Sequence, residues 1–437
     1  MRRTPLACAF AGLTLTLAAC GGGDGGPSEG DGKAAAGAPL TGRGPITLAT
    51  GKDRSGNMQK MVDAWNRAHP DQQARVIELP DEPNDQRQQM IQNATTRSDA
   101  YSILNLDVVW TAEFAANRWL AQLPEGPGGL DTSKLLPATV TTGEYRGRLF
   151  AMPLTSDAGL LYYRTDLLEK AGVADPPSTW QAMWAACDKV KALPEGKGVD
   201  CFLTEVGKTE GLTVSTAEAI NSAGGTIVGP DGRPTVNTPQ AKAGLDFLVK
   251  AVKDGRMPKA ALTLDGEGGR RHFQAGKVLF HRQWPYQYDL ANKTDGSSKV
   301  AGRFGVAPIP GPNGPGAANL GGHNYAISAF AKNKATALDF IKYMADGAQQ
   351  KANSLATSQA PTVAALYDDP DMVKKYAFLP TLKTAIEKAK SRPSAVKYGD
   401  VTSAIQGAVY DALGGRTSTG QALTGLQSKL GQLTTAQ

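Results

Sequence analysis

Ile103-Leu104-Asn105-Leu106-Asp107-Val108-Val109 is an almost continuous apolar run, broken by one amide and one acid. A strand buried on both faces reads this way, as in a parallel sheet covered by helices. The neighbouring segments support it. Met58, Met61, Val62 and Trp65 fall at i, i+3, i+4 and i+7, the spacing of an amphipathic helix. Ile46-Thr47-Leu48 and Arg75 to Leu79 read as strands, and Asp85 to Asn93 as a second helix. Further along, Val278 to Phe280 reads as a strand. Ala241, Leu245, Leu248, Val249 and Val252 mark one helix, and Leu338, Ile341, Met344 and Ala345 another. Strands alternating with helices predict an α/β architecture with parallel sheets.

The chain has 437 residues, more than one small core accommodates, so two domains fit its length. Its 41% hydrophobic and 20% charged residues are those of a globular protein. The net charge of +6 is not gathered into a basic block, so no nucleic-acid partner is expected. P-loop, Gly-x-Ser-x-Gly and His-Glu-x-x-His patterns are missing from the sequence. His69, His272, His281 and His323 lack metal-ligand spacing, and neither metal nor cofactor is expected. Glycoside hydrolysis stays open, because it needs only two carboxylates placed by the fold.

The N-terminus carries an export pattern. Arg2 and Arg3 precede an uncharged, mostly apolar run from Thr4 to Ala19, too short to span a membrane comfortably. The end of this run, Leu17-Ala18-Ala19-Cys20 followed by three glycines, resembles the lipobox of bacterial lipoproteins. That resemblance implies cleavage before Cys20, a diacylglycerol on its thiol, and a mature protein outside the cytoplasm. Residues 1–19 then form the signal peptide, and 20–43, rich in Gly and Ala with almost nothing large and apolar, a flexible tether. Cys187 and Cys201 read as a local disulfide in an oxidising exterior; the alternative is two reduced thiols.

Four loops at predicted strand ends carry polar and aromatic residues, where open α/β sheets bind ligands. In Gly51 to Asn57, Asp53 and Arg54 could face a cleft, or the loop could be a turn with a helix cap from Ser55 or Asn57. Asp107, an acid inside an apolar strand, needs partners. These are ligand hydroxyls or backbone donors, with Trp110 close by; the alternative is a structural acid capping the next helix. Trp284, Tyr286 and Tyr288 form a stacking platform or pack in a core. Gly321-Gly322, read as lying before a strand and ahead of His323, lets backbone approach a ligand or another strand, or makes a tight turn.

Taken in order, these segments resemble the extracellular solute-binding proteins of ABC sugar importers, in particular the trehalose/maltose-type lipoproteins of actinobacteria. The marks are the lipobox, Asn105 to Trp110, Met152 to Arg164, Thr209-Glu210-Gly211-Leu212, Ser222 to Gly225, Gln283-Trp284-Pro285 and Gly321-Gly322. The resemblance implies a type II, two-lobe periplasmic-binding-protein-like fold with mainly parallel sheets and a cleft between the lobes. It implies an N-terminal lobe of 44–153 plus about 301–360, and a C-terminal lobe of 154–300 plus about 361–437. It carries ligand-binding roles to Asp53, Asp107, Asp157, Trp284, Tyr286 and Arg392; Arg54, Trp110, Gly322 and His323 from the four loops, and Glu210 from the matching segment, complete the set of ligand-binding candidates. One departure is His323, which stands where some disaccharide-binding members have Trp.

The expected function is therefore that of a monomeric, lipid-anchored receptor, not an enzyme. It captures a neutral sugar by hinge closure and hands it to ABC permease subunits in the membrane. The competing readings are a hydrolase using two of Asp53, Asp107, Glu113 and Asp157, and a receptor for a glycerophosphodiester or a peptide.

Overall fold

The computed structural model describes residues 40–229 and 231–434. The expected signal peptide and Cys20 lie outside these residues. The strands in chain order are β1 (Ile46–Thr50), β2 (Ala74–Glu78), β3 (Ile103–Asp107), β4 (Glu144–Tyr145), β5 (Arg148–Leu149), β6 (Ala151–Ala158), β7 (Leu160–Arg164), β8 (Asp200–Leu203), β9 (Val278–Gln283), β10 (Phe304–Pro308) and β11 (Leu320–Ile327).

Two sheets build two lobes. The first has the order β2-β1-β3-β11-β6 and the second β10-β7-β9-β8. Strands β2, β1 and β3 run parallel, with Leu48 opposite both Val76 and Ile103. Side chains alternate across this sheet, as the two-residue period requires. Ile46, Leu48 and Ile103 join Trp65 and Phe340 in a core on one face; Ala49, Leu104 and Leu106 join Phe114 and Met90 on the other. The helix Asn57–Ala68 buries Met61, Val62 and Trp65 against the first of these cores. The second lobe has one large core, containing Phe202, Leu245, Phe280, Leu382 and Ile405.

The sheets are mixed, not mainly parallel as expected. Strand β11 is antiparallel to β3 and β6, and β7 is antiparallel to β9 and β10. The physical reason is topological: β6, β7 and β11 lie on segments that cross between lobes. Their direction is set by the crossing rather than by a strand–helix–strand unit.

Strand β6 of the first sheet continues through Gly159 into β7 of the second. The return segment, 309–319, follows β10. Because β10 pairs with β7 in the second sheet, the stretch from 301 belongs to the C-terminal lobe, and the expected boundary near 301 is corrected. The helix Gly347–Thr357 touches the helix Asn57–Ala68, with Asn57 Nδ2 donating to Asn353 Oδ1 at 2.9 Å. The chain then re-enters the second lobe, whose core takes Tyr367, Met372 and Leu379.

Cys187, on the helix Trp180–Lys191, and Cys201, on β8, are joined in a disulfide with their Cα atoms 5.6 Å apart. The bond ties a covering helix to an edge strand of the second sheet.

Candidate ligand cleft

The lobes enclose a cavity of about 400 Å³, within the range of small-ligand sites, about 300–1,000 Å³. Every ligand-binding candidate read from the sequence lines it. The roles of these residues differ.

Asp107 ends β3. Its Oδ1 accepts the Val109 backbone N–H at 3.2 Å and Arg392 Nη2 at 2.6 Å. His323 lies directly across from it on β11, and the His323 backbone N–H donates to Thr155 Oγ1 at 3.0 Å. Desolvation lowers the His323 pKa, Arg392 adds to that effect, and Asp107 opposes it. A neutral ring offers one donor and one acceptor, a match for hydroxyls. Gly322 has φ +118°, and a Cβ there would lie 2.1 Å from the Thr155 carbonyl oxygen, so only glycine fits. The paired glycines sit inside β11, not before the strand.

Asp157 lies on β6 and also lines the cavity. Burial raises its carboxyl to about 7; Arg282 opposes the shift and Asp107 reinforces it. A desolvated carboxyl facing a cleft calls for hydrogen-bond donors.

The facing wall belongs to the second lobe. Trp284 follows β9, and the Arg282 guanidinium lies 3.9 Å from its ring centroid. Tyr286 donates its hydroxyl to Glu267 Oε1 at 2.7 Å. Glu267 Oε2 accepts Arg54 Nε from the first lobe at 2.9 Å, and Arg54 also meets Asp81 at 2.9 Å. Glu210 heads the helix Glu210–Ser222. Its Oε1 accepts Arg392 Nη1 at 2.5 Å and the Tyr398 hydroxyl; Oε2 accepts Thr402 Oγ1 at 2.7 Å. Desolvation raises the Glu210 carboxyl, with Arg392, Tyr398 and Thr402 opposing.

Three candidates have other duties as well. Asp53 caps the helix Asn57–Ala68: Oδ1 accepts the Ser55 N–H and hydroxyl, and Oδ2 the Met58 N–H at 2.8 Å. Of the caps expected from Ser55 or Asn57, Ser55 supplies one, its Oγ accepting the Asn57 N–H at 3.0 Å, and the acid reaches one residue further into the first turn. Trp110 is only 2% exposed and packs in the core with Phe114, so its ring belongs to the cavity floor. Glu210 positions Arg392. Glu113, considered for hydrolysis, is instead buried in an ion pair with Arg87 Nε at 2.6 Å and does not line the cavity.

Sequence reasoning missed Glu205 and Glu267. Glu205 stands just beyond the carboxyl end of β8, and recognising Asp200–Leu203 as a strand would have marked it. Glu267 lies in the first turn of the helix Gly266–Gln274, which Asp265 caps by accepting the Gly268 N–H. That Asp-x-Glu start is a helix signal readable in the sequence.

Residues 60–381 match the profile of the family described as bacterial extracellular solute-binding protein. A probable ABC transporter-binding protein of Deinococcus radiodurans is 34% identical over 383 residues, 86% of this chain and 90% of its own. The mannitol-binding protein of Pseudomonas aeruginosa is 26% identical over 227 residues, 51% of each chain. Among solved structures, maltose-bound MalE3 of T. maritima superposes with a TM-score of 0.84 at 31% identity, covering 89% of this chain and 99% of that one.

Proposed function

Because this chain belongs to the bacterial extracellular solute-binding protein family, we propose that it is the capture subunit of an ABC importer and that its cleft holds a neutral di- or oligosaccharide of the maltose or trehalose kind. The observation that carries the reading is the composition of the two cavity walls. Trp284 stands on one wall and Asp107, Asp157 and His323 line the other. Aromatic faces cover the C–H faces of sugar rings, while carboxylates and neutral imidazole pair with hydroxyls. The likeness to a maltose-bound structure points the same way.

The mechanism follows from the crossings. Hinge motion at Gly159, in 309–319 and in the stretch that follows the helix Gly347–Thr357 opens and closes the lobes. Closure brings the sugar hydroxyls against paired polar groups. A sugar with a misplaced hydroxyl leaves one of those groups buried and unsatisfied, which is the source of selectivity. The mature chain is held at the outer membrane face by lipid on Cys20 and acts as a monomer beside the permease.

Thermal shift of the soluble domain with maltose, trehalose, mannitol, a glycerophosphodiester and a dipeptide tests the ligand class. A ligand that binds only the folded state raises the melting temperature by mass action. A shift with a neutral sugar, recovered intact by chromatography, is the expected result. A shift confined to the glycerophosphodiester or the dipeptide, or steady cleavage of the sugar, refutes it.

A further inference from the structure

Trp284 does not stand alone. Arg282, at 2% exposure, lies behind its ring. The Arg282 fork donates from Nε to Glu218 Oε2 at 2.7 Å and from Nη2 to Glu218 Oε1 at 2.6 Å. Its Nη1 is 3.5 Å from Glu205 Oε1. A buried pair of this kind recovers little net stability after desolvation, so stability alone does not account for it.

Its surroundings supply one. Glu218 Oε1 also accepts the Asn319 backbone N–H at 3.1 Å, at the end of the return crossing. Asn319 is itself held by its side chain, which donates to the Val214 carbonyl at 2.7 Å. On the outgoing crossing, a Cβ on Gly159 would lie 2.2 Å from Glu218 Oε1 and 2.6 Å from Arg282 Nη2. On β11, a Cβ on Gly321 would lie 2.7 Å from Trp284 Cζ3. Glycine thus stands on the outgoing crossing and on β11 where the stack of carboxylate, guanidinium and indole passes.

We propose that Arg282 and Glu218 are positioning residues that couple ligand stacking on Trp284 to two of the three crossing segments, at Gly159 and at Asn319. The guanidinium covers one face of the indole and leaves the other for the ligand. The carboxylate ties the guanidinium to Asn319 and lies against Gly159. Tilting of the indole under a bound ring is therefore passed to these two crossings, and closure of the hinge presses the indole onto the ligand. This inference rests on the sugar-receptor reading above.

Arg282→Met alone leaves Glu218 buried without its partner, so the test uses the charge-balanced pair Arg282→Met with Glu218→Gln, alongside Arg282→Lys. Three readouts are taken on each folded protein. Maltose affinity comes from calorimetry, and compaction with maltose from small-angle scattering. The emission of Trp284, obtained by difference from Trp284→Phe, is read without sugar. The balanced variant is expected to lose affinity on the order of tenfold, to compact less at saturating maltose, and to shift the Trp284 emission. Arg282→Lys, which keeps a cation under the ring, restores the emission in part. A folded balanced variant with unchanged emission, affinity and compaction overturns the proposal. If the wild type binds no sugar at all, the receptor reading fails. The emission of Trp284 and hydrogen exchange at the Asn319 amide then still decide whether the pair positions the indole and the crossing.

Discussion

Arg392 Nη2 of the C-terminal lobe donates to Asp107 Oδ1 of the N-terminal lobe at 2.6 Å, while Nη1 of the same fork holds Glu210 Oε1. One guanidinium thus spans the cleft and fixes the carboxylate at the end of β3. Removing it leaves two acids without their cation, a change that costs about 3–5 kcal/mol in buried settings. Arg392→Met should lower the melting temperature markedly, and calorimetric unfolding checks it. Asp107→Ala should weaken sugar binding by roughly ten- to a hundredfold, about 1–3 kcal/mol. Wild-type affinity in a folded Asp107→Ala would remove that carboxylate from the ligand site.

A second bridge closes the cleft at Arg54 and Glu267. Their side chains are 26% and 15% exposed, so solvent and salt screen the pair. Its contribution is about 1 kcal/mol or less. Glu267→Gln should expand the sugar-free protein in scattering, and raised salt should expand the wild type but not the variant. Equal radii in all four conditions would show that this pair does not hold the lobes together.

Much of the site was readable because chain chemistry and topology coincide at strand ends. The run Ile103–Val109 is apolar because β3 is covered on both faces, and Asp107 interrupts it where the strand meets the cleft. Other features were hidden. Strand β8 is four residues long, and β10 is an edge strand of half-buried residues ending in Pro308, so neither shows a period. Missing β8 cost Glu205, and missing β10 displaced the expected lobe boundary. The division of labour among the acids was also illegible. Asp53 serves a helix, Glu210 serves Arg392, and Asp157 faces the cavity, but these differences come from partners remote in sequence.

The disulfide joins residues 14 apart in sequence. A loop of that size contributes about 3 kcal/mol in the chain-entropy model. Cys187→Ser with Cys201→Ser should lower the denaturation midpoint accordingly, with sugar affinity changed far less, because neither sulfur lines the cavity. Loss of affinity at unchanged stability would contradict both statements.

Lipid attachment at Cys20 is a separate prediction, resting on Leu17-Ala18-Ala19-Cys20. Cys20→Ala should release the protein from membranes or block its processing, as fractionation would read. Normal maturation with full membrane retention would exclude this anchor.

Asp157 gives the protein a pH dependence whose sign is fixed. Its carboxyl is raised by burial from 3.8 to about 7 in the folded chain. Between those values the folded state binds more protons than the unfolded state, so stability falls as pH rises from about 4 to 7 and is level beyond. Asp157→Asn removes this slope, and its stability advantage over the wild type should grow across that window. Ligand binding acts in the opposite sense on the proton. Sugar hydroxyls donating to Asp157 favour the ionised form, so binding near pH 6.5 should release a proton. Calorimetry in two buffers of different ionisation enthalpy reads that release directly. The apparent enthalpies should differ for the wild type and agree for Asp157→Asn. Buffer-independent enthalpies in the wild type would mean that the ligand does not reach this carboxyl.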